Sequence, residues 1–180
     1  MKTKVFTYLL LAFALTTFGQ SSNTNTSSKV SIKTNFSFQA IKAYQESAVF
    51  KIEDYYDYLE LYANASTSDT LQQQVKVAIY NLFVEAQPKV IDFTSSENKP
   101  IPLNKLLDKI KKKNYTFNLT KVENSIVAAD FWTTKYNLEI NEGNQRCSIE
   151  VFSKVIFKPI EKQFGSTTKE VWTLFLGGME

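Results

Sequence analysis

The chain has 180 residues, 43% of them hydrophobic, with 21 basic and 18 acidic side chains and no histidine. That length allows one ordinary domain with a real core, and the small net charge of +3 supplies no field to draw in nucleic acid or an anionic membrane. Without imidazole, Ser-His-Asp and Cys-His catalysis and histidine-based zinc sites are excluded, so any acid-base chemistry must use carboxylates, tyrosines or lysines.

Lys2 and Lys4 precede an apolar run from Val5 to Phe18, and Thr17-Phe18-Gly19 offers small residues where a signal peptidase reads. Residues 1–20 are therefore expected to be an export signal cleaved near Gln20 or Ser21, giving a periplasmic or secreted product. The run is 14 residues long, short of the roughly 20 that a spanning helix needs, so no stable membrane insertion is expected after cleavage. Losing Lys2 and Lys4 leaves 19 basic against 18 acidic side chains. Cys147 has no second cysteine to pair with, so stability rests on packing, and its place in an alternating strand reads as a small buried hydrophobe.

Residues 21–36 open with a polar, turn-prone stretch and read as a flexible leader, although Val30, Ile32, Phe36 and Phe38 keep an even spacing that fits a short strand or an extended arm. From Gln39 to Ala63 the apolar positions Ile41, Tyr44, Ala48, Ile52, Tyr55, Leu59 and Tyr62 step by three and four, which predicts an amphipathic helix with Glu53, Asp57 and Glu60 on its wet side. Ser68 or Asp69 caps a second helix that ends before Pro88. Val90 to Phe93 reads as a short strand, and Leu103 to Lys113 as a third helix after the Pro100-Ile101-Pro102 punctuation.

From Tyr115 the period becomes two. Tyr115, Phe117 and Leu119 mark one strand; Ile126 to Ile140 and Gln145 to Ile160 mark two more around Asn141-Glu142-Gly143-Asn144; Lys169 to Leu176 is the last. Pairing Asn141 with Asn144 sets Leu138 against Cys147, Tyr136 against Ile149 and Ala128 against Phe157, with both apolar sets on one side. Three N-terminal helices followed by an antiparallel meander exclude a parallel βαβ fold and predict an α+β domain over residues 37–180, its helices packed on one face of a curved, mainly antiparallel sheet.

This order of elements, ending in Glu170-Val171-Trp172-Thr173-Leu174-Phe175-Leu176, resembles the NTF2-like superfamily of cone-shaped α+β domains over roughly residues 37 to 178. The superfamily includes ketosteroid-isomerase-like and cyclase-like enzymes, dehydratases, and non-catalytic binding or oligomerisation domains. The histidine-dependent dehydratase pattern is absent here. The resemblance implies a pocket lined by the inward face of the 126–140 strand.

Asp130 shares even parity with Trp132, Tyr136 and Leu138, and a carboxylate aimed at an apolar interior should have a raised pKa. Under an isomerase-like or cyclase-like reading Asp130 is the catalytic acid or base and Tyr136 or a first-helix tyrosine steadies an oxyanion; the plainer reading puts Asp130 where the sheet bends, or bonded to a neighbouring backbone group or lysine. Tyr55, Tyr58 and Trp132 are the candidate lining of a site for a small apolar ligand, against a plain role in core packing. Glu53, Asp54, Asp57 and Glu60 lack an ion-binding loop, so no metal and no cofactor is expected, and Lys109 with Lys111 to Lys113 suits a helix C-terminus better than a phosphate site. Asn-x-Ser/Thr triplets begin at Asn64 and Asn118. The expectation is an exported, non-catalytic module for a small apolar ligand or a protein partner, including a homodimer through the sheet.

Overall fold

The computed structural model describes residues 31–180, so the expected export signal and the leader up to residue 30 lie outside the described residues. Ser31 to Phe36, expected to be a leader, a short strand or an extended arm against the body, pack onto it through a single helical turn, α1 (Ile32–Asn35). Ile32 is fully buried and its amide donates to the Ala129 carbonyl at 2.7 Å, so one apolar side chain and one backbone bond fix the entry of the chain.

Two helices follow. Ser37 caps α2 (Phe38–Ala63), its hydroxyl accepting from the Ala40 amide, and Ser68 caps α3 (Asp69–Asn81) through Leu71. Helix α2 buries Ala48, Ile52, Tyr55, Leu59 and Tyr62 as its spacing predicts, with Ile41 and Tyr44 partly buried, and it also buries Tyr56, which the predicted stripe did not include. Each fully buried aliphatic side chain contributes about 1.5–3 kcal/mol. Glu60 departs from the wet role expected of it, since its carboxylate accepts the Phe117 amide and so satisfies a backbone donor on an edge strand.

A two-stranded antiparallel ribbon, β1 (Lys89–Ile91) and β2 (Pro100–Pro102), precedes α4 (Leu103–Ile110). The sequence reading missed β2 because prolines cannot donate to a ladder, and an edge strand is where they are tolerated. Helix α4 stops three residues earlier than expected, where Lys112 takes a left-handed φ of 59°. Leu103, Leu106, Leu107 and Ile110 are buried. Lys109 does not stand free for a phosphate: its ammonium meets the Asp92 carboxylate at 2.5 Å, tying α4 to the turn after β1.

Four strands complete an antiparallel sheet in the order β3 (Tyr115–Asn124), β4 (Phe131–Glu142), β5 (Gln145–Phe164) and β6 (Thr167–Met179). The chain is therefore α+β, with four helices and a four-stranded antiparallel sheet among the described residues. The β4–β5 register differs from the expected one by two residues: Glu142 pairs with Gln145, Ile140 with Cys147, Leu138 with Ile149 and Tyr136 with Val151. The turn chemistry decides this, because a Gly143-Asn144 loop puts glycine, at φ 59°, where a tight hairpin needs positive φ, whereas the expected loop would have forced Glu142 toward it. A slip of two keeps every side chain on its own face, so Trp132, Thr134, Tyr136, Leu138 and Ile140 are buried as their parity predicts.

Parity fails before Phe131. A bulge after Thr120, with Lys121 at φ 52°, shifts the β3–β4 register, and the Ala128 amide donates to the Phe131 carbonyl to close a turn. Residues 125–130 are consequently a connection rather than a strand; Val127 turns inward and Ile126 is 87% exposed. Cys147 is also corrected, since it lies on the inward face but beyond the covered region and is exposed.

Asp92 is 4% exposed, and although burial opposes its ionisation, Lys109 and the hydroxyl and amide of Thr94 hold its pKa below the ordinary 3.8. A lowered folded pKa means stability that is present above the unfolded value and is lost as pH falls through the folded one. The urea midpoint should therefore drop as pH is lowered from about 5 to below the ordinary carboxylate value, and Asp92→Asn should show a lower midpoint at neutral pH and a shallower acid limb. An unchanged acid limb in that variant would remove Asp92 from this account.

Candidate functional site

Tyr136 projects inward from the middle of β4, and its hydroxyl lies 2.9 Å from the Tyr56 hydroxyl and 3.2 Å from Ser153 Oγ. All three residues are buried. Burial pushes the Tyr136 pKa up to about 12 and holds those of Tyr55 and Tyr56 well above the phenol range, so these hydroxyls stay protonated at neutral pH. Each hydroxyl of the Tyr56–Tyr136 pair is spent on its neighbour, which makes the group a packing device.

The carboxylate expected beside Tyr136 is elsewhere. Asp130 stands in a bend one residue before β4 and is exposed, while its backbone carbonyl accepts the Phe157 amide at 2.8 Å. It occupies the plainer of its two expected places, because the covered part of the sheet begins only at Trp132. The expected ligand-lining trio is not assembled either. Tyr55 packs edge-on against Tyr56 and Phe83, and Trp132 lies against Phe157; both are core residues. Tyr58 is half-buried and packs against the margin of the same core. The Trp132 indole Nε1 is buried without a hydrogen-bond partner among the described residues, so that side chain contributes volume and no polar link.

The space between helices and sheet is filled instead by aromatic contacts. Phe36, Tyr44, Phe157 and Trp172 form one cluster with ring centroids 4.3 to 5.3 Å apart, and Tyr56, Phe93, Tyr115 and Phe117 form another. An apolar groove of 510 Å³ remains at the margin, where α1, the first turns of α2 and the β3–β4 connection meet. Phe36, Phe38, Ile41, Ile126 and Val127 form its walls, and Lys33, Gln45, Asn124 and Ser125 its polar rim. Gln45 Nε2 donates to the Ser125 carbonyl at 3.1 Å, which holds the two sides together. Phe38 and Ile126 are 82% and 87% exposed, an unusual state for two large apolar side chains beside one groove. No carboxylate or thiol lines it; its polar groups are the Lys33 amine, the Gln45 and Asn124 amides and the Ser125 hydroxyl, set around an apolar wall.

Sequence reasoning missed this groove because it gave Ile126 to a strand and Phe36 and Phe38 to an arm. The available signal was the Asn124-Ser125 pair, which is turn chemistry set directly before two β-branched residues. No family model matches the chain, and no curated protein matches it either.

Two outcomes follow from this geometry. Tyr136→Phe leaves Tyr56 and Ser153 short of a partner and should lower stability by about 1–2 kcal/mol in urea unfolding; a neutral result would mean that the hydroxyl chain is dispensable. Cys147 should react stoichiometrically with a thiol reagent in the native state, and protection until unfolding would contradict its exposure.

Proposed function

We propose that the chain is an exported, non-catalytic binding module that takes an apolar ligand, or the apolar part of a partner, in the groove of Phe36, Phe38, Ile41, Ile126 and Val127. The observation that carries this reading is the pairing of a filled interior with an apolar margin: aromatic rings occupy the space in which an isomerase-like site would lie, while Phe38 and Ile126 stay in water. Large apolar groups left exposed beside a concavity gain the most from a ligand that covers them. The groove volume of 510 Å³ falls within the range of small-molecule sites.

The order of elements supports placing the chain among NTF2-like domains: two helices, a short ribbon, a short helix and a four-stranded meander. Within that group the exposed Asp130 and the engaged Tyr136 hydroxyl favour the binding modules over the enzymes. Export rests on Lys2, Lys4 and the apolar run to Phe18.

An anilinonaphthalene dye should bind the native chain with enhanced fluorescence. Phe38→Ser combined with Ile126→Ser should weaken that binding roughly tenfold, the equivalent of about 1.4 kcal/mol, without lowering the unfolding midpoint, since both side chains are already in water. Dye binding equal in the variant and the parent would place the apolar site elsewhere.

A further inference from the structure

The second face of the sheet carries a chemistry unlike that of the groove. On β4 the outward residues Phe131, Thr133 and Lys135 all stay partly exposed, so nothing in the described residues closes over them. The pairing sets Phe131, Ile156 and Phe175 side by side across three strands as one apolar rib. Lys154 and Lys158 flank it from β5, and both ammonium groups lie over rings of the rib: Lys154 Nζ is 4.4 Å from the Phe131 centroid and Lys158 Nζ 5.9 Å from that of Phe175. Lys135 repeats the arrangement over Phe152 at 5.6 Å.

Charge on this face is lopsided. Lys135 is answered by Glu150 at 2.8 Å and Arg146 by Glu139 at 2.6 Å, toward the Gly143 turn. Around the rib, the cross-strand rows Phe131–Ile156–Phe175, Thr133–Lys154 and Lys158–Thr173 contain two lysines and no carboxylate. A second copy brings the same lysines, and on this face its Glu139 and Glu150 are already engaged and its Glu123 lies opposite Lys135, so self-association offers these ammonium groups few free carboxylates. Nucleic-acid bases and sugar rings bind such a face by stacking on open aromatic rings, and here lysines cover the rings. What fits is a partner that sets carboxylates against the ammonium groups and apolar side chains against the ring edges.

We propose that the outer face of β4, β5 and β6 docks an acidic polypeptide segment interspersed with apolar side chains, with Lys154 and Lys158 as its charge-reading residues and Phe131, Ile156 and Phe175 as its apolar floor. This surface is independent of the groove and stands or falls apart from the ligand proposed there. The test is fluorescence anisotropy with a short labelled peptide alternating glutamate with leucine and phenylalanine, titrated with the chain at low and at moderate salt. The expected result is binding that weakens with salt and is reduced roughly tenfold by Lys154→Glu combined with Lys158→Glu, while Phe38→Ser with Ile126→Ser leaves it unchanged. Lys154→Gln with Lys158→Gln serves if the reversed charges disturb folding, which circular dichroism reports, and should give an intermediate loss. The proposal is overturned if the parent chain ignores the peptide, if both lysine variants bind as the parent does, or if single-stranded DNA or phosphatidylglycerol vesicles bind more tightly than the peptide. Concentration-dependent dimerisation in light scattering that the lysine variants abolish would assign the face to a second copy and overturn it equally.

Discussion

Burying the aromatic stripe of α2 against the inner face of the sheet brings hydroxyls into a dry interior, and the fold depends on those hydroxyls satisfying one another. Tyr56 meets Tyr136, Tyr136 meets Ser153, and Thr134 donates to Asn124 Oδ1 at 2.7 Å, so the hydroxyls carried inward along β4 find partners on α2, β3 and β5, while the Trp132 indole Nε1 has none among the described residues. An unpaired buried hydroxyl costs about 1–3 kcal/mol, which is comparable with what a well-buried aliphatic side chain contributes. The same arrangement keeps the phenols protonated and mutually bonded, and the apolar groove lies at the margin of this core.

How far this could be read beforehand depends on whether a feature is set by periodicity or by geometry. The buried stripe of α2 and the inward set from Trp132 to Ile140 are periodic and therefore legible, and they survive the two-residue error in the β4–β5 register because side-chain direction repeats every two residues. The inward reading of Asp130 and the strand placement of Ile126 fail for a single reason. Parity carries no information across a turn, and the bulge at Lys121 together with the Ala128–Phe131 bond ends the strand earlier than the apolar pattern does. Cys147 shows a different limit: its direction is inward as expected, but alternation does not say how far along a strand the helical cover extends. Ile32 shows a third, since one buried residue in a four-residue turn has no period to detect.

The groove arises from these same illegible features. It exists because α1 folds back beside Ala129 and because the β3–β4 connection turns Val127 inward and leaves Ile126 out. The helix, the turn and the strands around it are each ordinary; only their meeting creates an apolar concavity with two uncovered side chains. Phe36, Ile41 and Val127 belong to both the groove and the core, whereas Phe38 and Ile126 touch only its open side.

The two edges of the sheet are managed differently, and this bears on how partners can approach. At β3 the Glu60 carboxylate occupies the Phe117 amide, so a donor that a foreign strand would use is already taken. At β6 the segment after α3 does the same work over a short stretch, with Val84 donating to Leu176 and Leu176 to Leu82, at 3.0 and 2.8 Å. Beyond it the β5–β6 ribbon continues with residues 161–170 all exposed, where Glu161 pairs with Glu170 and Lys162 with Lys169. Like charges set opposite one another weaken a strand pair, and they also deter an incoming strand from adding to it. With one β3 donor taken and the β6 edge partly covered or charged, strand addition is disfavoured at both edges.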